Sequence, residues 1–105
     1  MGLKILEKSE GNSVILSLSG ELDMGDSSTK LRNAVRESLN AGIKDITVDL
    51  SGVGYMDSSG TGELISALVA VNRLEGRLVL LNPTDQIHRL LAISQMTDIF
   101  EIKFQ

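Results

Sequence analysis

The 105-residue sequence contains no cysteine, no tryptophan, one proline and one histidine. Without cysteine the chain can form neither disulfides nor thiolate metal sites, which is compatible with a reducing compartment. Aromatic residues make up only 3% of the chain, too few for the stacking platforms that bind single-stranded nucleic acid. We therefore expect an aliphatic core, no metal site and no cofactor.

Clusters of basic residues and long apolar runs are missing as well. The formal net charge is -4, so non-specific binding to nucleic acid or to an anionic membrane is not expected. No apolar run approaches the roughly 20 residues that span a bilayer, and the run at 78–81 (LVLL) has the length of a strand. Residues 1–4 lack the layout of a secretory signal. These absences predict a cytoplasmic protein that does not associate with membranes.

The residues that are present predict one globular domain. Hydrophobic residues make up 42% of the chain and charged residues 23%, proportions typical of folded rather than disordered proteins. A chain of this length forms one domain of common size with one hydrophobic core. We therefore expect a single domain over residues 1–105.

Hydrophobic periodicity predicts the order β-β-α-β-α-β-α-β. The predicted strands cover residues 3–8, 14–18, 46–50, 78–81 and 100–104. The predicted helices cover residues 27–41 and about 57–75, with a short third helix after residue 84. Turn residues predict loops at 10–12, 20–25 and 51–54.

This order predicts an α/β fold of the α+β-like kind. The two initial strands form a hairpin, which argues against a purely parallel sheet. The alternation of apolar and polar residues along the strands indicates that one face of the sheet is less covered than the other. We expect a mixed sheet of about four to five strands, with helices mainly on one face. Asp26, Ser27 and Ser28 are the candidate N-caps of the first helix.

One segment, residues 49–62, leads from a strand through a loop to the start of the second helix. A helix N-terminus exposes free N–H groups and the positive end of the helix dipole. Asp57 is a good N-cap, and Ser58 would then occupy the first helical position, pointing outward, where a phosphate is favoured. Gly60 and Gly62 each cost the helix about 1 kcal/mol relative to Ala. Glycine is tolerated at such positions if another group must approach the backbone closely, or if the helix packs tightly on the sheet. By itself, the tetrapeptide at 57–60 is best explained as a capping sequence.

The wider sequence changes this interpretation. Residues 56–62 (MDSSGTG), preceded by 48–51 (VDLS), resemble the phosphorylation signature of STAS domains, and most closely that of bacterial anti-sigma factor antagonists. A second motif of that family matches residues 20–23 (GELD), and the order of elements matches over essentially the whole chain. Thr61 is a departure, because the family more often has an aliphatic residue there. It adds a third hydroxyl near the site, and its side chain can face inward or bond to the preceding turn.

The resemblance implies a partner switch. The unphosphorylated chain would bind an anti-sigma factor that is also a serine kinase, and so release the sigma factor. The kinase would phosphorylate Ser58, the phosphorylated form would no longer bind well, and a serine phosphatase would reset it. The chain would be a substrate and not an enzyme, and a monomer or weak dimer. Asp23 corresponds to the loop acid near the phosphorylated serine, and Glu63 and Ser66 are expected to be exposed in the partner surface. The implied phosphate-site and partner residues are Asp23, Met56, Asp57, Ser59, Gly60, Thr61, Gly62 and Glu63.

Alternatives to this function remain open from the sequence. Ser59 is the main rival for the phosphate. The same domain also serves other partners, such as a lipid transporter or a stress-signalling assembly. Weak nucleotide binding near Ser58 is a further alternative, since helix N-termini attract phosphate. Asp49 lies at a strand end like the phosphoacceptor of receiver domains, but the acidic pair that receivers need after the first strand is missing.

Other residues have simpler explanations. Residues 27–30 (SSTK) match the S-x-x-K motif of penicillin-recognising enzymes, but the partner motifs are absent and helix capping explains them better. His88 lies between apolar residues of the short helix, where a solvated or half-buried structural role is expected. Met24 and Met56 are candidate exposed protein contacts, and Met56 is equally well explained as a core residue.

Overall fold

A five-stranded β-sheet and three α-helices make up residues 2–105, the part of the chain that the computed structural model describes. The strands are β1 (Leu3–Glu10), β2 (Ser13–Leu22), β3 (Asp45–Met56), β4 (Arg77–Leu81) and β5 (Glu101–Lys103). The helices are α1 (Asp26–Asn40), α2 (Ser58–Arg73) and α3 (Asp85–Ile93). The order of elements is the one that the hydrophobic periodicity predicts.

The sheet is mixed, with the spatial order β1-β2-β3-β4-β5. Strands β1 and β2 form an antiparallel hairpin, and β2, β3, β4 and β5 run parallel to one another. Gly11, with φ 61, turns the hairpin. Each β–α–β connection uses one helix, because parallel neighbours need a long crossover. The α/β prediction with a mixed sheet is therefore confirmed.

The core lies between one face of the sheet and the helices. Along β2, Val14, Leu16 and Leu18 are buried, while Ile15 is exposed. Leu16 pairs in register with Val48 of β3, and Val48 pairs with Leu80 of β4. All three side chains are fully buried, so they form a continuous apolar row across the centre of the sheet. The opposite face of β2 is more open, as the alternation predicts.

The structure corrects the predicted ends of two strands. The expected loops at 20–25 and 51–54 are wrong in part, because β2 continues to Leu22 and β3 continues to Met56. The two strands stay paired there, but the register shifts twice. Gly52 allows this, since a Cβ at that position would lie 2.7 Å from the Leu18 carbonyl oxygen. Glycines that suggested strand ends are therefore places of irregular, close pairing.

The predicted cap of α1 is also wrong. The residue at the N-cap is Gly25, with φ 86, and within the described chain no side chain bonds to this helix start as a cap. Helix α3 does have a side-chain cap, since the Thr84 hydroxyl accepts the N–H of Ile87 at 3.3 Å. Of the helices formed by residues 2–105, none is long and apolar enough to cross a membrane.

The ends of β2 and β3 position the candidate site. Leu22, the last residue of β2, pairs with Met56, the last residue of β3. The N–H of Asp57 also donates to the Leu22 carbonyl oxygen at 3.4 Å. Each strand leads within a few residues into a helix, so α1 and α2 both begin at this edge of the sheet. Ligand and partner sites commonly form at the carboxyl ends of parallel strands.

Candidate functional site

Asp57 caps helix α2, as the sequence predicts. Its Oδ1 accepts the N–H of Ser59 at 2.9 Å and that of Gly60 at 3.1 Å. The N–H of Thr61 donates to the Asp57 carbonyl oxygen at 3.0 Å. The sequence also suggested that free N–H groups at this helix start would receive a phosphate, and that part is wrong for Ser59 and Gly60. Their N–H groups are already taken by the Asp57 carboxylate.

Ser58 and Ser59 have different surroundings, although they are adjacent. Ser58 is the first residue of α2 and is exposed, and within residues 2–105 its hydroxyl makes no hydrogen bond. Ser59 is half-buried and lines a shallow cavity of about 320 Å³ between the starts of α1 and α2. Ser58 therefore presents the more accessible hydroxyl.

Asp23 lies one residue beyond the end of β2 and is half-buried. Its carboxylate accepts the Ser27 hydroxyl at 2.5 Å, and its carbonyl oxygen accepts the Ser28 hydroxyl at 2.7 Å. Ser27 and Ser28, expected as helix caps, instead hold the loop between β2 and α1. The S-x-x-K match has no catalytic geometry, because the Lys30 ammonium donates to the carbonyl oxygen of Leu3 at 3.0 Å.

The structure brings Asp23 and Asp57 to the same edge of the sheet. Each follows directly after one member of the Leu22–Met56 pair. Both side chains are half-buried and carry carboxylates, so this edge is acidic around the start of α2. Asp23 therefore lies at the same strand ends as the start of the predicted phosphorylation segment.

Gly60 and Gly62 differ in their surroundings. A Cβ at Gly60 would lie 2.2 Å from the Leu22 carbonyl oxygen and 2.7 Å from Cγ of Met56. The first turn of α2 therefore packs directly on the ends of β2 and β3, and only glycine fits at position 60. A Cβ at Gly62 would meet no heavy atom within 4 Å. Close packing therefore explains why position 60 is glycine. It does not explain Gly62, which is open to solvent.

Thr61 and Met56 belong to the interior. Thr61 is buried, and its hydroxyl donates to the Asp57 carbonyl oxygen at 3.2 Å. It is therefore not an exposed competitor for phosphate. Met56 is also buried and packs in the core, so the core interpretation of this residue is confirmed. Met24, in the loop before α1, is 72% exposed.

Glu63 is the largest departure from the expected site. The sequence predicted an exposed residue, but Glu63 is buried between α2 and α1. Both of its carboxylate oxygens accept from Arg32 of α1, at 2.8 Å from Nε and 3.0 Å from Nη2. Hydrogen bonding to Glu63 and then its charge raise the pKa of Arg32. Ser66, the other residue expected on this surface, is exposed.

Sequence reasoning missed Arg32. The residue is 31 positions from Glu63 and lies on a different helix, so no local spacing connects them. A glutamate among apolar residues of α2, close to Leu64, was the one available signal, because buried carboxylates require a partner. His88 is half-buried and its ring packs edge-on against Phe104 with centroids 5.5 Å apart, in keeping with a structural role.

Comparisons with known proteins identify the family of the chain. A family model described as Mlab, STAS domain, matches residues 5–101. The chain belongs to the STAS domain family. The anti-sigma-B factor antagonist of Staphylococcus aureus strain NCTC 8325 is 30% identical over 102 residues, covering 97% of this chain and 94% of that protein. This STAS domain therefore matches that relative over nearly its whole length.

Solved structures show the same fold at lower identity. A crystal structure from Thermotoga maritima superposes with a TM-score of 0.87 at 24% identity, covering 96% of this chain and 86% of the other. The Bacillus cell fate determinant SpoIIAA in its phosphorylated form gives a TM-score of 0.78 at 21% identity, covering 97% and 91%. These likenesses confirm the STAS fold of the chain.

Proposed function

We propose that this STAS domain is an anti-sigma factor antagonist whose binding is switched by phosphorylation of Ser58. Its unphosphorylated form binds an anti-sigma factor that is also a serine kinase, and a serine phosphatase reverses the modification. The observation that carries the proposal is the exposed hydroxyl of Ser58 at the first position of α2, beside the capping Asp57; among residues 2–105 it has no hydrogen-bond partner. The similarity to an anti-sigma-B factor antagonist over 102 residues supports the partner class.

The surroundings of Ser58 suit a protein substrate of a kinase. In the transfer, Ser58 Oγ bonds to the γ-phosphorus of ATP, the bond from that phosphorus to ADP breaks, and the hydroxyl proton passes to a base of the kinase. Asp57 holds the first turn of α2 through two N–H bonds, so the hydroxyl is presented from a rigid helix start. The Thr61 hydroxyl is buried and bonded and Ser59 is half-buried, so Ser58 is the most accessible acceptor of the three.

A phosphate on Ser58 would oppose binding electrostatically. It adds about -1.5 to -2 charges at neutral pH, next to Asp57 and close to the strand end that carries Asp23. The N–H groups of Ser59 and Gly60 are engaged by Asp57, so they are not free to stabilise the dianion. The phosphate must then keep its hydration, which a tight interface removes. A loss of about 3 kcal/mol weakens binding roughly 150-fold.

The same engaged N–H groups argue against nucleotide binding as the main function. A nucleotide phosphate at the start of α2 would have to displace the Asp57 carboxylate from the N–H groups of Ser59 and Gly60. It would also meet two negative side chains at this edge, Asp23 and Asp57. Phosphate sites at helix starts usually offer free N–H groups instead.

The experiment combines the purified chain, a candidate anti-sigma factor kinase and labelled ATP. We expect the parent and Ser59→Ala to incorporate phosphate and Ser58→Ala to incorporate none. Ser58→Asp should bind the kinase at least about 100-fold more weakly than the parent, because even a single added carboxylate meets the acidic edge. Ser9→Asp, which adds the same charge at an exposed position of β1, is the matched control and should bind like the parent. Phosphate found only on Ser59, or undiminished labelling of Ser58→Ala, would refute the assignment.

A further inference from the structure

Helices α1 and α2 leave a groove between them that begins beside the phosphorylation segment. At that end the cavity of about 320 Å³ is lined by Met24 and Ser59, among others. Further along the helices, a second cavity of about 290 Å³ is lined by Arg36 and Ala70. Arg32 and Glu63 line both cavities. We call this combined surface, from Ser59 to Ala70, the α1–α2 groove.

The charge of the α1–α2 groove is opposite to that of the whole chain. Its charged lining residues are Arg32, Arg36 and Glu63, and both oxygens of Glu63 are bonded to Arg32. The chain as a whole has 14 acidic and 10 basic residues. The excess of positive charge lies along the helices, beyond the acidic strand ends that carry Asp23 and Asp57, and it favours a negatively charged partner segment in that part of the groove.

Arg32 is held in position to bind a second carboxylate. A guanidinium has five N–H donors, and Glu63 uses one on Nε and one on Nη2. The remaining donors belong to a side chain that is 48% exposed, whereas the Glu63 side chain is only 8% exposed. The buried glutamate therefore fixes the guanidinium while leaving donors free for another anion. Such preorganisation reduces the entropy lost on binding.

The α2 side of the groove permits close approach. Apart from Glu63, the α2 residues that line it are small and uncharged: Ser59, Ser66, Ala67 and Ala70. Small side chains let a partner backbone come near, and Arg36 lies on the opposite wall on α1. A segment with carboxylates toward α1 and small or apolar residues toward α2 fits these two walls.

We propose that the α1–α2 groove binds an acidic segment of the anti-sigma factor, with Arg32 and Arg36 contacting its carboxylates. The identity of this partner rests on the proposed function. The groove also explains how one modification weakens a wider interface. A phosphate at the start of α2 places a dianion at one end of the groove, where it repels the acidic segment.

The test measures the dissociation constant of the kinase complex for charge-reversed variants. Arg36 is exposed and makes no side-chain hydrogen bond within residues 2–105, so Arg36→Glu should fold normally. We expect it to weaken binding at least about tenfold, the effect of losing one charge-assisted contact. Lys8→Glu makes the same charge change on an exposed residue of β1, which pairs with Ile15 on the open face of the sheet, and should bind within about twofold of the parent. Arg36→Gln, with a smaller loss, provides a second variant should Arg36→Glu fold poorly.

The outcomes separate this proposal from the proposed function. If the parent binds and Ser58→Asp does not, but Arg36→Glu and Arg36→Gln both bind like the parent, only the groove assignment is overturned. Equal weakening by Arg36→Glu and Lys8→Glu would also overturn it, since the effect would then be a general one of net charge. No binding by the parent would overturn both proposals. A steeper salt dependence for the parent than for Arg36→Glu supports direct contact with carboxylates.

Discussion

Replacing each glycine of the first turns of α2 by alanine should change stability in opposite directions. At Gly60 the new Cβ would lie 2.2 Å from the Leu22 carbonyl oxygen, a backbone atom that cannot move without disturbing the end of β2. Overpacking of this kind costs about 3 kcal/mol, while the better helix propensity of alanine returns about 1 kcal/mol. Gly60→Ala should therefore lower the free energy of unfolding by about 2 kcal/mol.

Gly62→Ala is the matched control within the same helix. The new Cβ would meet no heavy atom within 4 Å, so only the propensity gain remains. The free energy of unfolding should rise by about 0.5–1 kcal/mol. The two variants should thus differ by roughly 3 kcal/mol for the same chemical change.

Urea unfolding followed by far-UV circular dichroism measures both variants. The dependence of the unfolding free energy on urea should be unchanged, so that the shift in midpoint reports stability alone. The reasoning from close packing would be refuted if Gly60→Ala were as stable as the parent. It would equally be refuted if the two variants differed by less than about 0.5 kcal/mol.

Three further predictions concern other contacts. Asp57→Ala removes the acceptor of two N–H bonds and should lower the free energy of unfolding by about 1 kcal/mol. Asp57→Asn keeps an acceptor oxygen and should retain most of the parent's stability. An unchanged urea midpoint for Asp57→Ala would contradict the cap. Arg32→Ala leaves buried Glu63 without its cation and should lower the urea midpoint, with a non-additive effect in a double-mutant cycle with Glu63→Ala; additive effects would count against the pair. Hydrogen bonding from Arg77 lowers the pKa of Glu101 below 4.5. The contribution of the Glu101 carboxylate to the free energy of unfolding is therefore present above pH 4.5 and is lost as the pH falls through the folded-state pKa. Glu101→Gln should therefore flatten the loss of stability with acid, and parallel pH profiles in urea unfolding would speak against it.

Most of the fold could be predicted because the relevant patterns are local. Two-residue alternation around Leu16 and Val48 reports strands with one buried face, and helical spacing around Leu64 reports a helix lying on that face. The ends of β2 and β3 could not be predicted in the same way. In the sequence, Gly20 and Gly52 suggest that the two strands end, yet pairing between the strands continues past both glycines through shifts in register.

In the candidate site, too, some features follow from neighbouring residues and others depend on distant ones. The cap formed by Asp57 and the outward position of Ser58 follow from a few consecutive residues, since the geometry of a helix start is set within one turn. The burial of Glu63 does not follow from its neighbours. It depends on Arg32, which is 31 residues earlier and comes into reach only when α1 packs beside α2. A local pattern therefore predicted exposure where packing produced an ion pair.

The amino-acid sequence was enough to establish the order of elements, the aliphatic core, the capped start of α2 and the resemblance to STAS domains. Each of these depends on short-range periodicity or on a contiguous motif, which no long-range contact has to complete. Packing alone decided that Gly60 is enclosed while Gly62 is open, and that Arg32 and Glu63 form an ion pair in the groove beside Ser59. The reason is physical: such contacts join atoms on different elements, and their distances exist only once the strands and helices are assembled.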